Sequence, residues 1–299
     1  MIGNELTKHL SARGYQIMIL TREVPGNKSH NGSVSYAVWD VNKQMIDKEA
    51  VQKADFIIHL AGAGVVDKKW TEAYKAEIRN SRTKSSALLI DALRKNENKV
   101  QAVISASAIG WYGEDPSLRR EGFIESDEHA AGFLGETCKM WEESIEPVTE
   151  FGKRLVKLRL GIVLSNTGGA LVEFKRPLHF GIAGILGSGK QVISWIHIDD
   201  LCRIFIEAIE NTRLSGVYNA VAPKPVTNKV LTLQLAQAMR GKFSIPLHVP
   251  GFVLKLMLGT RSIEVLKSTT VSSDKIRKAG FQFNYPSIEE AIKELCSKQ

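Results

Sequence analysis

Short apolar runs alternate with longer helix-like stretches along the first half of the chain. Five such runs have the length of buried strands, and they lie at 16–20, 34–38, 55–60, 100–105 and 155–160. Apolar runs separated by helices are typical of a parallel sheet with crossover helices. This alternation therefore predicts an α/β fold.

The stretches between these runs have helical periodicity. The predicted helices span 4–13, 70–95 and 132–146, the last ending before Pro147, and further helices follow at 198–210, 227–240 and 287–297. From about residue 166 the chain becomes richer in glycine and proline. We predict one domain over 1–165 and a smaller α/β substrate lobe over 166–299, partly interleaved with the sheet.

Composition indicates an ordinary globular protein. The hydrophobic fraction is 43% and the charged fraction is 24%. The formal net charge is +8, but Lys and Arg are interspersed with Asp and Glu, and no clustered basic-aromatic motif indicates nucleic-acid binding. We expect a solvated basic surface that helps to attract phosphorylated ligands.

Cysteine and histidine patterns exclude two kinds of site. The three cysteines are widely spaced without a CxxC pair, and the seven histidines show no HxxxH or HExxH spacing. We therefore expect no disulfide framework and no metal, in a reducing, cytoplasmic compartment. No run is long enough to span a bilayer, and 252–258 is predicted as a buried or interfacial helix, so no membrane partner is expected.

Several motifs, taken in order, resemble the NAD-dependent epimerase/dehydratase family of extended, atypical short-chain dehydrogenases, in its sugar-nucleotide epimerase-like branch. They are LTR at 20–22, HLAG at 59–62, KKWTEAYKAEIRNSR at 68–82, SASAIGWYG at 105–113, LRLGIVL at 158–164, GSGKQVISWIHIDDL at 187–201 and PVTN at 225–228. The resemblance implies a Rossmann-like, doubly wound parallel sheet that binds a nicotinamide dinucleotide in residues 1–165.

The chain departs from this family at its start. The family opens with a strand and a turn of the form TGGTGxIG, of which only Ile2 and Gly3 match here. We expect either that the strand and turn precede Met1, in which case the chain is truncated, or that the cofactor is bound poorly. The resemblance assigns Ile2 and Gly3 to the cofactor site.

A second departure concerns the superfamily's catalytic YxxxK pair. None of the six tyrosines is followed by lysine four residues later, and the pair would fall near Leu134 and Cys138. Neither residue exchanges a proton as that pair does. The branch that the chain resembles often lacks the pair as well.

Arg22 follows the second strand of the family fold, where dehydrogenases contact the adenosine ribose. An arginine binds a 2′-phosphate, whereas an acidic residue favours the free hydroxyl, so NADP(H) is favoured over NAD(H). Thr21 is expected to assist. The alternative is a solvated arginine at a strand end.

The resemblance assigns further cofactor contacts to two segments and to single residues beside them. His59, Leu60, Ala61 and Gly62 end the third strand, where small residues let the backbone approach the cofactor; His59 is alternatively a packed core residue. Glu77 and Arg82 on the long helix either flank the cofactor or form a surface ion pair. The remaining assigned contacts are Ser105 and Val163.

Ser107 is the candidate catalytic serine, because it follows the strand that carries this residue in the superfamily. Tyr112 is a candidate proton donor, although Trp111 and Tyr112 are also interpreted as lining a pocket. His197 is a candidate substrate or cofactor contact, and Trp111 is a candidate substrate contact. Asp199 is predicted to cap the helix at 200–210.

The segment 184–190 has the glycine and lysine spacing of a phosphate-binding P-loop. Gln191 replaces the required Ser or Thr, and apolar residues rather than a helix follow. We therefore do not expect this segment to bind phosphate in that manner.

These observations lead to two hypotheses. In the first, the chain is an NADP(H)-binding epimerase/dehydratase-like oxidoreductase that acts on a small or nucleotide-linked substrate. In the second, it binds NADP(H) as a sensory or structural ligand without turnover. A homodimer is the default expectation for this superfamily.

Overall fold

The structure is a computed structural model that describes residues 1–24, 30–115, 121–241 and 243–297. The strands are β1 (Ile17–Thr21), β2 (His30–Asn31), β3 (Val34–Asp40), β4 (Met45–Ile46), β5 (Phe56–His59), β6 (Ala102–Ala108), β7 (Arg154–Leu160), β8 (Ile162–Leu164), β9 (Ile182–Leu186), β10 (Val192–Ile193), β11 (Trp195–His197), β12 (Gly216–Ala220), β13 (Val226–Thr227) and β14 (Ile245–Val249). The helices are α1 (Ile2–Ala12), α2 (Lys48–Lys53), α3 (Glu72–Lys95), α4 (Phe133–Ile145), α5 (Ala170–Leu178), α6 (Ile198–Glu210), α7 (Asn228–Arg240), α8 (Gly251–Leu258), α9 (Ser262–Leu266), α10 (Asp274–Lys278) and α11 (Ile288–Ser297). Short 3-10 turns span Ile109–Trp111, Glu146–Phe151 and Gly259–Arg261.

The main sheet has the strand order β12-β7-β6-β5, and its ladders are parallel. The inner strand β6 is buried along nearly its whole length because helices cover both faces of the sheet. On one face Leu6 of α1 and Phe205 of α6 pack in a cluster with Ile104. On the other, Leu89 of α3 packs in a cluster with Val103. A parallel sheet between two helical layers confirms the predicted doubly wound α/β class.

Strands β1 and β5 are the end strands of two separate sheets. β1 pairs in parallel with β3, and no backbone ladder joins β1 to β5 among the described residues. Both strands are apolar like β6, yet most of their residues are only half-buried. Ile17 and Ile58 nevertheless pack against the same core cluster. Each strand therefore keeps one edge without a ladder partner in the described part of the chain.

A second lobe has its own apolar core. There β9 pairs with β14, and the core includes Leu171, Leu235 and Ile292 from α5, α7 and α11. Between these elements the chain returns to the first lobe, because α6 packs on the main sheet and β12 pairs with β7. The domain boundary at 165/166 follows the end of β8 and stays a prediction.

Side-chain caps begin several helices. Asp47 accepts a hydrogen bond from the N–H of Ala50 at the start of α2, and Thr71 does the same for Tyr74 in α3. At α6 the cap is His197, whose Nδ1 accepts from the N–H of Asp199 at 3.1 Å. The prediction that Asp199 caps this helix is wrong, because α6 begins at Ile198 and places Asp199 inside its first turn.

Two further predictions concern the second lobe. The P-loop-like segment forms the end of β9 and a tight turn that leads to β10, so the prediction that no helix follows it is confirmed. The helix predicted at 252–258 is present as α8. Of its residues only Leu254 is buried, so α8 is a surface helix.

Candidate cofactor and active site

The amino end of α1 lies beside the carboxyl end of β5. A Cβ atom placed on Gly3 would lie 3.8 Å from the Leu60 side chain. Among the residues that the structure describes, no side chain caps α1, so the backbone N–H groups of its first turn keep the partial positive charge that attracts anions. The predicted residues Ile2 and Gly3 therefore lie next to the HLAG segment.

Arg22 directly follows β1, the strand that comes after α1 in the chain and contacts it. The Arg22 side chain is exposed and makes no hydrogen bond or ion pair with any residue that the structure describes. The Thr21 hydroxyl has a local partner, because its Oγ1 donates to the carbonyl oxygen of Glu23 at 3.2 Å. The guanidinium of Arg22 is thus open to a ligand.

His59 is a packed core residue. Its ring is 3% exposed, stacks on Trp39 and lies with Nε2 3.3 Å from the hydroxyls of Ser85 and Ser86. Burial lowers the pKa of His59 to about 4, so the ring is neutral near pH 7. Its side chain faces the core, so the alternative interpretation of His59 is the one that the structure favours.

The loop after β5 is organised by Arg82. The Arg82 side chain is buried, donates to the carbonyl oxygens of Ala63 and Ile78 at 3.0 and 2.9 Å, and stacks on Trp141. A Cβ atom on Gly62 would lie 3.1 Å from the guanidinium, so the absence of a side chain at Gly62 permits this close approach.

Glu77 does not pair with Arg82. Its carboxylate lies 3.3 Å from Lys68 Nζ in an exposed ion pair. The interpretation of Glu77 and Arg82 as an ion pair within the helix is therefore wrong, because Arg82 turns inward to the loop backbone instead.

Ser107 lies at the end of β6 inside a buried polar network. Its Oγ donates to Glu142 Oε1 at 2.7 Å, and the side chain is almost fully buried. With its hydrogen used in this way, Ser107 presents lone pairs to any further partner. Ser105 is also buried, and its Oγ donates to the carbonyl oxygen of Ala106.

Glu142 and Arg159 are the centre of this network, and the sequence analysis missed both. Arg159 donates from Nε and Nη2 to the two Glu142 oxygens at 2.8 and 3.1 Å, and both side chains are buried. The pairing with Glu142 raises the pKa of Arg159 despite its burial. A signal was present: in β7, which begins at Arg154, Lys157 and Arg159 interrupt the apolar residues at the period of one sheet face.

Tyr112 belongs to the same network. Its hydroxyl donates to Asn219 Oδ1 at 2.8 Å and accepts from Arg159 Nη1 at 2.9 Å, and the residue is 0% exposed. Burial raises the pKa of Tyr112 to about 12. The hydroxyl is thus protonated at neutral pH and bonded within the protein, and the assignment of Tyr112 as proton donor stays a prediction. Trp111 is half-buried and stacks on Arg159, with the guanidinium carbon 3.7 Å from the ring centre.

Helix α4 presents Leu134 and Cys138 to the loop after β6. A Cβ atom on Gly110 would lie 3.4 Å from Leu134 and 3.6 Å from the Cys138 sulfur. Burial raises the pKa of the Cys138 thiol to about 12, so the thiol stays protonated. Neither side chain supplies an acid or base on this face of α4 at neutral pH.

His197 and Val163 lie at the junction of the two lobes, in the paired strands β11 and β8. His197 is buried, and its Nε2 lies 2.9 Å from Glu294 while Nδ1 caps α6. Both ring nitrogens therefore have protein partners. This placement gives His197 a structural role, and the predicted substrate or cofactor contact stays a prediction.

The described residues contain neither a metal-binding cluster nor a membrane-spanning helix. Within the part of the chain that the structure describes, no group of three or more His, Cys, Asp or Glu residues could hold a metal ion. No described helix combines the length and apolar character needed to cross a membrane.

A doubly wound parallel sheet with an uncapped helix end and a glycine-containing loop at one edge is the arrangement of Rossmann-type dinucleotide-binding proteins. Comparison with known proteins narrows this class. Residues 1–132 match the NAD dependent epimerase/dehydratase family, and residues 249–295 match a domain of unknown function, DUF1731.

Relatives and solved structures agree with this match. An epimerase family protein of Staphylococcus haemolyticus is 35% identical over 295 residues, which are 99% of this chain and 95% of that protein. The human epimerase family protein SDR39U1, solved with NADPH, is 25% identical with a TM-score of 0.85 and covers 100% of this chain and 97% of its own. A nucleoside-diphosphate sugar epimerase from Corynebacterium glutamicum is 29% identical with a TM-score of 0.76, over 99% of this chain and 56% of that chain. The chain belongs to the NAD-dependent epimerase/dehydratase family.

Proposed function

We propose that this protein is an NADP(H)-binding oxidoreductase of the epimerase/dehydratase kind, acting on a small or nucleotide-linked substrate. The observation that carries the proposal is the exposed guanidinium of Arg22, which follows β1 and has no partner among the described residues. A 2′-phosphate on the adenosine ribose is the ligand group that such an arginine matches. The related human protein was solved with NADPH.

The residues at this edge fit a dinucleotide. The backbone N–H groups at the start of α1, around Ile2 and Gly3, would face the pyrophosphate. Ala61 and the exposed backbone of Gly62 would allow the cofactor to approach closely. Bound NADP(H) supplies hydride transfer at its nicotinamide ring.

Ser107 is the residue that we assign to the substrate. Glu142 accepts the Ser107 hydrogen, which orients the lone pairs of Oγ to accept a hydrogen bond from a substrate hydroxyl. Arg159 holds Glu142 from the other side, so the orientation of Ser107 is fixed by a charged pair. Ser107 then positions the oxygen whose carbon exchanges hydride.

The chemistry proceeds without the YxxxK pair in this proposal. Leu134 and Cys138 occupy the face of α4 that meets the loop after β6, and the Tyr112 hydroxyl is enclosed. These positions support a mechanism in which the substrate hydroxyl exchanges its proton with water or with a group on the substrate itself.

A second candidate function is binding of NADP(H) without turnover, as a sensory or structural ligand. The observation that favours it is the enclosed state of Ser107 and Tyr112, since neither hydroxyl is exposed to solvent. NADPH binding without consumption of NADPH across carbonyl and sugar-nucleotide substrates would support this candidate. Measurable consumption that Ser107→Ala abolishes would support the first one.

Thermal unfolding with and without NADPH, NADH and their oxidised forms tests cofactor binding directly. A ligand that binds only the native state raises its stability, and a concentration of 100 times Kd adds about 2.7 kcal/mol. We expect NADPH and NADP⁺ to raise the unfolding temperature more than NADH and NAD⁺. Equal shifts would contradict the role of Arg22, and no shift would contradict cofactor binding by this chain.

We further propose a cytoplasmic location and a homodimer. The described cysteines, Cys138, Cys202 and Cys296, are all unpaired thiols, which supports a reducing compartment. Sedimentation velocity measures the oligomeric state, and a monomer at micromolar concentration would contradict the dimer.

A further inference from the structure

The second lobe exposes large apolar side chains along β9, β14 and α8. These side chains are each at least 65% exposed, and we call them the apolar strip: Phe180, Phe243, Ile245, Phe252, Leu256 and Met257. Phe180, Phe243 and Ile245 lie at the start of the paired strands β9 and β14, since the Ile245 N–H donates to the Gly181 carbonyl, and α8 begins at the opposite end of β14. Large apolar side chains exposed on adjoining elements in this way mark an interaction site.

Helix α8 is oriented with apolar residues on its outer face. Leu254 is buried and Leu258, four residues later, is half-buried, so this pair faces the protein. Phe252 and Leu256 are also four residues apart, and they face solvent with exposures of 75% and 84%. A surface helix normally exposes its polar face, so the apolar outer face of α8 indicates that a partner binds there.

Positive charge is concentrated in the same part of the chain. Residues 211–263 contain seven Lys or Arg and no Asp or Glu, whereas the whole chain has a net charge of +8. The expectation of evenly interspersed charges is therefore wrong for this segment. Its basic residues are Arg213, Lys224, Lys229, Arg240, Lys242, Lys255 and Arg261.

The folded structure places basic side chains around the apolar strip. Arg240 lies at one end, where its guanidinium donates to the carbonyls just before Phe180. Lys190 and Lys229 lie at the other end, at the turn after β9, and Lys255 is on α8 itself. None of these four side chains pairs with a carboxylate among the residues that the structure describes.

We infer that the apolar strip is a peripheral membrane-binding surface for anionic phospholipid. A bilayer surface offers an apolar boundary for Phe252 and Leu256, and its anionic headgroups offer counter-charges for the surrounding Lys and Arg. A second copy of the chain fits less well, because a two-fold contact through this face would bring two basic surfaces together. The expectation of no membrane partner, which rested on the lack of a spanning segment, does not bear on a peripheral contact.

Cosedimentation with vesicles tests this inference. The vesicles are phosphatidylcholine alone or an equimolar mixture of phosphatidylcholine and phosphatidylglycerol. We expect the protein to sediment with the mixed vesicles at low salt, with weaker binding at high salt and little binding to phosphatidylcholine alone. The double variant F252S/L256S should bind the mixed vesicles about tenfold or more weakly.

Matched controls separate the strip from general surface effects. M45S removes a half-exposed apolar side chain from β4 in the first lobe and should bind like the wild type. R240E/K255E should also bind about tenfold or more weakly, whereas K53E/K95E, with the same change of net charge, should weaken binding far less. Thermal unfolding checks that each variant is folded.

Three results would overturn the inference. One is a lack of wild-type binding to the mixed vesicles, and another is an equal loss of binding in the control variants. The third is a concentration-dependent oligomer in sedimentation velocity that F252S/L256S dissociates while vesicle binding is unchanged. That result would assign the apolar strip to self-association.

Discussion

Ser107 lies at the end of strand β6 and Arg22 directly follows strand β1, but their surroundings differ. Ser107 is enclosed and bonded to Glu142, which is itself held by Arg159. Arg22 is exposed and has no partner among the described residues. Ser107 thus finds its polar partner within the protein, whereas the Arg22 guanidinium is free to bind a ligand. Buried polar groups must be paired within the fold, whereas exposed ones remain available for binding.

The largest expected effect is a loss of stability when the buried network around Ser107 is disrupted. Glu142→Ala leaves Arg159 charged and unpaired in the core, and loss of one partner of a buried ion pair costs about 3–5 kcal/mol. We expect the free energy of unfolding, measured in urea, to fall by this amount. Glu143→Ala removes an exposed carboxylate from the same helix and should change it by less than about 0.5 kcal/mol. Similar losses of unfolding free energy in both variants would show that the Glu142–Arg159 pair contributes no more to stability than an exposed carboxylate.

A pH effect on stability follows from His59. Its pKa is about 4 in the folded protein and 6.5 ordinarily, so the unfolded chain binds more protons between these values. The stabilising effect of the neutral ring is complete above about pH 6.5 and is lost as the pH falls toward 4, on the order of 3 kcal/mol. Urea unfolding at several pH values should show this loss in the wild type and a reduced loss in His59→Gln. An unchanged pH dependence in the variant would refute the assignment to His59.

Tyr112 gives a smaller effect on the same side. Tyr112→Phe removes a hydroxyl that bonds both Asn219 and Arg159, and unpaired buried partners cost about 1–3 kcal/mol. The unfolding free energy should fall by this amount. Tyr36→Phe, at a half-buried position on β3, serves as the matched control. If Tyr112→Phe instead keeps full stability but loses NADPH turnover, Tyr112 is the proton donor after all.

The smallest effect on stability is expected at Arg22. Arg22→Ala removes an exposed side chain without described partners, so the unfolding free energy should change by less than about 0.5 kcal/mol. A larger loss of unfolding free energy would show that Arg22 stabilises the fold, which would contradict the proposed difference between Arg22 and Ser107.

The alternation of strands and helices was predictable because each element carries its own local pattern. The buried network was not, since it joins Ser107, Tyr112, Glu142, Arg159 and Asn219 from separate elements, and only the charged residues in β7 signalled it.

Two details of the second half of the chain escaped the sequence analysis for the same physical reason. Asp199 is a good capping residue by type, but His197 caps α6 because the helix begins earlier than predicted. The apolar run of α8 was expected to be buried or interfacial, and composition alone did not show that Phe252 and Leu256 face outward. Local patterns identify elements more reliably than they identify which partner a side chain meets.

The central claim is that Arg22 binds the 2′-phosphate of NADP(H). Titration calorimetry of NADPH and NADH into the wild type and Arg22→Ala tests this claim most directly, because it measures the affinity for each cofactor with and without the guanidinium. We predict that the wild type binds NADPH about tenfold or more tightly than NADH and that Arg22→Ala removes most of this preference, since a charge-assisted hydrogen bond contributes about 1.5–3 kcal/mol. Equal affinities of the wild type for the two cofactors, or an unchanged preference in Arg22→Ala, would contradict the account.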